Sequence, residues 1–371
     1  MNSIQQLFRT HGAAYLERFG GAMPANHKKV IHAIRNCGTG AFGQHSFSCD
    51  GCGESHYADS SCGNRHCPTC QGGKSDEWLN KQLGKALPVN YFMITVTVPS
   101  ELRELIRSNQ KVAYAALFKA GSSAIKKLAK DERHIGCHTA GLTGILHTWT
   151  RQLEYHPHVH FIVPGGGISP DGKRWLPAQR DFLMPERAVA KILRAKFRDA
   201  LKKHPDVFKQ IPKKVWRTDW VVDIEPVGKG TSALKYLAPY IFRVAISNKR
   251  IVRFKDQKVT FRYQDNKGKW HTPTLEAEKF ISRFLQHVLP YRFVKVRYYG
   301  FLSPRKRKLL ETIKELFGLF TREEEKSGSG CCLAAEARVM RCPKCGGQMV
   351  FVREIRPQKH LLNLSNEWRP P

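Results

Sequence analysis

The chain has 371 residues and carries 62 Lys and Arg against 31 Asp and Glu, which gives a formal net charge of +31. A charge of this size favours a polyanionic partner, so nucleic acid is the first inference and an anionic membrane surface is the rival. No apolar run approaches the roughly 20 residues of a membrane-spanning helix, and the amino terminus lacks the apolar segment of a signal peptide. A cytoplasmic protein without membrane contact is therefore expected.

Two short helices are predicted in the first 36 residues. Apolar side chains recur at helical spacing from Leu7 to Phe19, Pro24 interrupts them, and the pattern resumes from Val30 to Ile34. We expect these helices to form a packing platform.

Cysteine turns follow the helices and indicate a zinc site. Eleven cysteines in a cytoplasmic protein favour metal ligation over disulfides. Two Cys-x2-Cys turns, separated by 14 residues, each place two thiolates where one tetrahedral ion can bind them. The predicted ligands of a structural Zn²⁺ are Cys49, Cys52, Cys67 and Cys70.

Further metal donors lie in the same segment. They are Cys37, Cys62 and His66, with His45 and His56 nearby. These donors are enough for a second zinc ion, and ligands could then be exchanged between the two sites. The alternative is that the extra cysteines are small buried hydrophobic residues.

The largest domain begins after Leu87. Residues 91–98 are rich in β-branched side chains and predict a strand, with an apolar face that includes Phe92 and Ile94. A helix is predicted over residues 100–130. A second strand is predicted over residues 144–151.

The strand predicted over residues 156–163 alternates histidine with apolar residues. Because alternate side chains of a strand share a face, His158 and His160 point to one side and Val159 points to the other, towards a core. Imidazoles in such a row suit a metal ion. Surface histidines on a half-buried strand are the alternative.

A third ligand for this metal is expected from the preceding strand. If the hairpin turns near residues 153–154, His147 lies opposite His160 on the same face. His147 is therefore the candidate, and Glu225 is held as its substitute.

A tyrosine pair marks a later helix. A basic amphipathic helix is predicted over residues 185–204, and a strand over 220–226 precedes the tyrosines. Tyr236 and Tyr240 are spaced i, i+4 and share one face of their helix, and Pro239 between them should kink it. Aromatic core residues are the alternative.

The remaining chain is predicted to form short strands and helices and to end in a cysteine-rich tail. Strands are expected over residues 250–254, 259–263 and 293–299, with a helix over 274–288. The densest basic cluster is Arg305, Lys306, Arg307 and Lys308, which is either a DNA phosphate contact or a solvated helix start. After a linker-like segment, a small zinc ribbon is predicted from Cys331, Cys332, Cys342 and Cys345.

A basic protein with tyrosines near a histidine-bound metal suggests covalent phosphodiester chemistry. A tyrosyl oxygen would attack a DNA phosphate, giving a 5′-phosphotyrosine and a free 3′-hydroxyl. A divalent cation on His158 and His160 would stabilise the charge that develops on the phosphate.

These motifs resemble those of a known family. His158-Val159-His160 is similar to the HUH motif (His, bulky apolar, His), and residues 236–240 resemble its paired-tyrosine motif. Together with the cysteine-rich start, residues 1–320 resemble rolling-circle transposases of the insertion-sequence family numbered ninety-one, which are related to Helitron transposases. Pro239 departs from the family pattern, where that position is more usually basic or helix-favouring.

The resemblance implies an α+β fold: an RRM-like antiparallel sheet (the HUH endonuclease fold) with an amino-terminal helical and zinc-binding module and a small Cys-rich tail. The expected domains are residues 1–88 (zinc-binding and DNA-binding), 89–320 (catalytic) and 321–371 (linker and tail). Mg²⁺ or Mn²⁺ is implied as the catalytic cation, with single-stranded transposon ends and target DNA as partners in a bacterial nucleoid.

Two alternatives remain open. An HUH replication initiator or relaxase would share the chemistry. A non-catalytic, zinc-dependent nucleic-acid-binding regulator would share the charge and the cysteines but would form no covalent bond with DNA.

Overall fold

The computed structural model describes residues 3–71, 74–241, 245–319 and 340–357, without the side chains of residues 74–77 and 236–241. Its α-helices are α1 (Ile4–Phe19), α2 (Ala25–Asn36), α3 (Lys74–Leu83), α4 (Arg103–Ser108), α5 (Gln110–Ala129), α6 (Glu186–Leu201), α7 (Pro205–Phe208), α8 (Gly230–Ile241), α9 (Ala277–Leu285) and α10 (Arg307–Leu316). Its β-strands are β1 (Gln44–Cys49), β2 (Ser55–Asp59), β3 (Asn90–Thr97), β4 (Leu142–Trp149), β5 (Tyr155–Pro164), β6 (Gly166–Ile168), β7 (Trp175–Pro177), β8 (Val222–Lys229), β9 (Ile251–Lys255), β10 (Lys258–Phe261), β11 (Tyr263–Gln264), β12 (Trp270–His271), β13 (Thr274–Glu276), β14 (Val296–Tyr299) and β15 (Met349–Ile355). Among the described helices, none is both long and apolar enough to cross a bilayer.

The predicted mixture of helices and antiparallel strands is confirmed, whereas the RRM-like assignment stays a prediction. The helix expected over residues 100–130 is divided into α4 and α5 at Asn109. There the backbone leaves the helical range, with φ of −124° and ψ of 40°, and the backbone and side-chain amides both donate to the Leu105 carbonyl at 3.0 Å.

The central sheet has five strands in the order β14-β4-β5-β3-β8, and every neighbouring pair is antiparallel. One face of this sheet packs against α5 and α6 through fully buried residues such as Phe92, Val159 and Phe161. At Gly121 of α5, a Cβ atom would lie 2.5 Å from the Phe161 ring. A glycine at this position therefore lets the helix approach the sheet closely.

The opposite face of the central sheet carries the histidines, and we call it the histidine face. Part of it is covered by α3 and α8: Trp78 and Ala233 join Met93 and Ile162 in a small buried cluster. The Trp78 indole donates a hydrogen bond to the Tyr298 hydroxyl at 2.7 Å. These contacts place the start of α8 over the sheet beside the histidine row.

The lead helices share a second core with residues from much later in the chain. Phe8 of α1 packs edge-to-face on Phe284 of α9, with ring centroids 5.2 Å apart, and residues from Ala245 to Val288 complete the cluster. The predicted two-helix platform is confirmed. The predicted domain boundaries stay predictions, since this core contains residues from both sides of residue 88.

A small three-stranded sheet joins the two ends of the described chain. Strand β1 pairs with β2 on one edge and with β15 on the other, in the order β15-β1-β2. The tail predicted as a separate zinc ribbon is thus a strand of the amino-terminal module, because β1 offers it a free edge. Cys331 and Cys332, the other predicted ribbon ligands, lie outside the described residues.

Candidate functional site

Three imidazoles meet on the histidine face. His147 of β4 and His158 and His160 of β5 place ligand nitrogens within 4.8 Å of one another. The hairpin makes this possible, because residues two apart on a strand share a face and the neighbouring strand supplies a third side chain beside them. Glu225 lies on the edge strand β8, opposite Met93, and is not part of the group found among the described residues.

The hairpin register differs from the prediction by two residues. His147 pairs with His158, and Ile145 pairs with His160. The loop is longer than expected, from Thr150 to Glu154, and the register shifts between His147 and Trp149. Since the change is an even number of residues, His147 stays on the predicted face.

Hydrogen bonds orient two of the rings. The His158 Nδ1 group lies 2.7 Å from its acceptor, the His156 carbonyl oxygen, and so carries the proton. The His160 Nδ1 atom lies 3.0 Å from the Thr95 hydroxyl. The carbonyl partner leaves the Nε2 lone pair of His158 to a metal, and both partners fix the plane of their ring.

Burial keeps these imidazoles unprotonated. It lowers the pKa of His160 to about 4 and takes the pKa of His158 well below its ordinary value, where the neighbouring His160 adds a smaller effect. Both rings are therefore neutral near pH 7, which is the form that binds a metal.

The ring of Trp149 supports His147. The two rings stack with centroids 4.8 Å apart and planes 23° apart. The ammonium group of Lys295, a half-buried residue, lies 5.1 Å from the Trp149 ring centroid. Burial, with a further contribution from Arg65, lowers the pKa of Lys295 to about 7.

The first thiolate cluster, which we call the local cluster, contains Cys37, Cys62, Cys67 and Cys70. The Sγ atom of Cys70 lies 3.6 Å from Cys37 and 3.5 Å from Cys62. Gln5 of α1 donates a hydrogen bond to the Cys67 sulfur. The hydrogen bond from the Cys62 thiol also lowers the pKa of Cys67 to about 5.

The second thiolate cluster, which we call the composite cluster, contains Cys49, Cys52, Cys342 and Cys345. Its Sγ atoms lie 3.4 Å apart for Cys49 and Cys345, and 3.8 Å apart for Cys52 and Cys342. The Cys-x2-Cys turns are alike: in each, the amide of the next glycine donates to the carbonyl of the first cysteine. Those glycines, Gly53 and Gly346, have φ of +70° and +77°, which a side chain would strain.

Both clusters fit zinc. Four sulfurs at about 2.3 Å from a tetrahedral Zn²⁺ lie about 3.8 Å from one another, close to the distances in both groups. The predicted ligand set of Cys49, Cys52, Cys67 and Cys70 is wrong, because the strand pairing of β1 with β15 brings the tail turn to Cys49 and Cys52.

His66 is not a member of either cluster. Its Nε2 atom instead accepts a hydrogen bond from the Leu289 amide at 3.3 Å, and Arg65 donates to the carbonyls of Phe293 and Pro290. Residue 295 follows two positions after Phe293, and its carbonyl accepts a hydrogen bond from the amide of Leu146, which precedes His147. The loop of the local cluster is thus bonded to the segment that borders the histidine site.

The predicted tyrosines lie on α8, which runs through Pro239 to Ile241. Their side chains lie outside the described residues. Position 236 is i+3 and position 240 is i+7 from Ala233, which is buried against the histidine face. Both positions therefore fall on the helical stripe that contains Ala233.

Comparisons with known proteins agree with these features. Residues 141–309 match a family model described as a putative transposase, and residues 7–98 match a transposase zinc-binding domain of the IS91 group. The chain is 33% identical to a putative transposase, y4qJ, of Sinorhizobium fredii, over 94% of each chain. The chain belongs to the IS91 family of transposases.

A second relative of this IS91-family transposase is the transposase for insertion sequence element IS801 of Pseudomonas savastanoi pv. phaseolicola. The two are 25% identical, over 92% of this chain and 87% of the relative. No solved structure matches the transposase.

The predicted DNA-binding residues of the transposase are all exposed, and they separate into two groups. Arg305 and Lys306 line a cavity, whereas Arg307 pairs with Glu311 at 2.8 Å on α10. Lys308 follows on the same helix.

Sequence reasoning missed the supports of the site rather than its ligands. Thr95, Trp149 and Lys295 carry no motif, and only the strand register brings them to the histidines. The composite cluster did have a signal: Cys49 and Cys342 each begin a Cys-x2-Cys-Gly turn, while the turn that begins at Cys67 lacks the glycine.

Proposed function

We propose that this transposase cleaves and joins single-stranded transposon ends through a 5′-phosphotyrosine, in rolling-circle transposition. The observation that carries the proposal is the histidine triad, whose ring nitrogens lie within 4.8 Å on the face where α8 begins. Family membership supports DNA as the substrate.

The histidines are proposed to bind a divalent cation, Mg²⁺ or Mn²⁺. When bound, it polarises the scissile phosphate and stabilises the charge that develops on it. His158 and His160 offer neutral nitrogen donors, oriented by the His156 carbonyl and the Thr95 hydroxyl. Because Mg²⁺ prefers oxygen ligands, a purely imidazole donor set favours Mn²⁺.

Tyr236 and Tyr240 are the proposed nucleophiles. The phenol oxygen of one tyrosine gives up its proton and forms a bond to the phosphorus, and the bond from phosphorus to the 3′ oxygen breaks. That oxygen takes up a proton and leaves as a 3′-hydroxyl. The phosphotyrosine retains the bond energy, so a second 3′-hydroxyl can reverse the step and join strands.

A gel experiment tests the proposal. Wild-type protein is incubated with Mn²⁺ and single-stranded oligonucleotides from the element's ends, and covalent adducts are separated under denaturing conditions. We expect an adduct with wild-type protein and none with His158→Ala or His160→Ala, while both variants retain DNA binding. His204→Ala is the matched control, because it changes an exposed histidine directly before α7, a helix that packs on the core at the other face of the central sheet.

Two results would contradict the proposal. One is full adduct formation by both histidine variants, which removes the metal assignment. The other is the absence of any adduct with folded wild-type protein, which favours the non-catalytic regulator.

A further inference from the structure

A cationic cavity lies at the edge of the central sheet, away from the histidines. Its volume is about 450 Å³, within the usual range of sites for one small ligand. Three segments form it: the carboxyl-terminal end of α5 with Lys130 after it, residues 138–140, and residues 298–306, which begin in edge strand β14.

The charge of this cavity is one-sided. Lys126, Lys130, Arg305 and Lys306 line it together with His138, and none of the described residues that line it is Asp or Glu. Four cations that converge from separate elements repel one another, and an anion between them relieves that repulsion. The phosphate groups of a nucleic acid are anions of this kind.

An aromatic wall accompanies the cations. Tyr298 and Tyr299 both line the cavity, and the Lys126 ammonium lies 5.7 Å from the Tyr299 ring centroid. Cations that follow a nucleic-acid backbone, combined with aromatic rings that stack on bases, are the usual means of holding single strands. The cavity therefore has a surface for each part of a nucleotide.

Its position relates it to the histidine site. Tyr299 pairs with Leu142 on β4, and His147 lies five residues further along that strand. At about 3.3 Å per residue this separation is roughly 17 Å, which at most about five stacked nucleotides would span. Tyr298 pairs with Thr143, which lies two positions before Ile145 and therefore on the histidine face. A DNA strand on that face would reach the cavity by passing around edge strand β14.

We propose that this cavity binds a nucleotide of the same single strand that the histidine site cleaves, a few nucleotides from the scissile phosphate. This inference rests on the proposed function for the identity of the strand. Arg305, Lys306, Lys126 and Lys130 hold its phosphates, and Tyr299 offers a ring to its base.

The test compares two double variants that remove the same charge. Arg305→Gln/Lys306→Gln changes the cavity, and Lys202→Gln/Lys203→Gln changes exposed lysines at the end of α6. Binding of a 20-nucleotide oligo(dT) is measured as a function of salt. We expect the cavity variant to bind at least tenfold more weakly, with a salt slope reduced by about 1.4 because roughly 0.7 is lost for each phosphate contact.

A photocrosslink adds a readout that depends on position. Oligo(dT) that carries 5-iodouracil should crosslink to the peptide containing Tyr298 and Tyr299. Equal losses of affinity in the two double variants, or crosslinks that avoid this peptide, would overturn the proposal.

The experiment separates this inference from the proposed function. If the wild-type protein forms no covalent adduct but the cavity variant still binds weakly and the crosslink maps to the tyrosines, the nucleotide site stands and the chemistry fails. If adducts form while the two double variants bind alike, the cavity proposal alone fails.

Discussion

Removal of the tail ligands should detach β15 from the amino-terminal module. The change is Cys342→Ser with Cys345→Ser, which leaves only Cys49 and Cys52 in the composite cluster. Structural zinc ions in zinc-finger peptides contribute about 10–16 kcal/mol at pH 7. The local cluster keeps all of its ligands in this variant, so one zinc ion per chain should be lost and the other retained.

The remaining contacts of β15 only just balance the cost of ordering it. Ordering the backbone of its seven residues costs about 7–14 kcal/mol. Its six residue pairs with β1 contribute about 6 kcal/mol at about 1 kcal/mol per hydrogen bond. Burial of Met349 adds about 2 kcal/mol, and Val350, Phe351 and Val352 stay exposed. These gains reach only the lower limit of the cost, so bound metal decides whether the strand stays.

Zinc content and hydrogen exchange measure the outcome. We expect the metal content to fall by one ion per chain and the amides of β1 and β15 to lose their protection, while the central sheet keeps its own. Cys137→Ser is the matched control, since Cys137 is buried outside both clusters and a serine can still donate to the Ala129 carbonyl. Full zinc content with a protected β15 in the double variant would refute the reasoning.

Three further predictions concern the histidine site. His147→Ala should lower the affinity for Mn²⁺ at least tenfold, measured by titration calorimetry, whereas Glu225→Gln should leave it within twofold; equal losses would exclude His147 as the third ligand. Tyr236→Phe should abolish the first covalent adduct and Tyr240→Phe should retain it but lose complete transposition; wild-type transposition by Tyr240→Phe would mean that one nucleophile suffices. Burial lowers the pKa of His160 to about 4, so below about pH 6.5 the unfolded chain binds more protons than the folded one. The contribution of His160 to the stability of the metal-free protein should therefore be complete above about pH 6.5 and be lost as the pH falls towards 4. A melting temperature that rises on acidification would contradict this assignment.

Local patterns were sufficient to predict the elements that position the site. The alternation from His158 to Phe161 placed imidazoles on one face and core residues on the other, and both placements are confirmed. The two-residue error in the hairpin register did not change the predicted face of His147, because side chains two residues apart on a strand point to the same face. A one-residue error would have removed His147 from the group.

Residue spacing could not predict which strands pair when they lie far apart in the sequence. The choice of partners for Cys49 depends on which strand occupies the free edge of β1, and apart from the glycine shared by the turns at Cys49 and Cys342, nothing near Cys49 in the sequence specifies a strand that begins at Met349. The stack of Trp149 on His147 likewise depends on a register shift that hydrophobic patterning does not reveal.

The two thiolate clusters differ in when they can be assembled during synthesis. All donors of the local cluster lie between Cys37 and Cys70, so it can bind zinc soon after this segment leaves the ribosome. Cys49 and Cys345 are 296 residues apart, so the composite cluster stays open until the whole central sheet has been translated. A nascent or prematurely terminated chain would have one zinc site and an unpaired edge on β1, and only a chain that has been read through Cys345 can close its amino-terminal module.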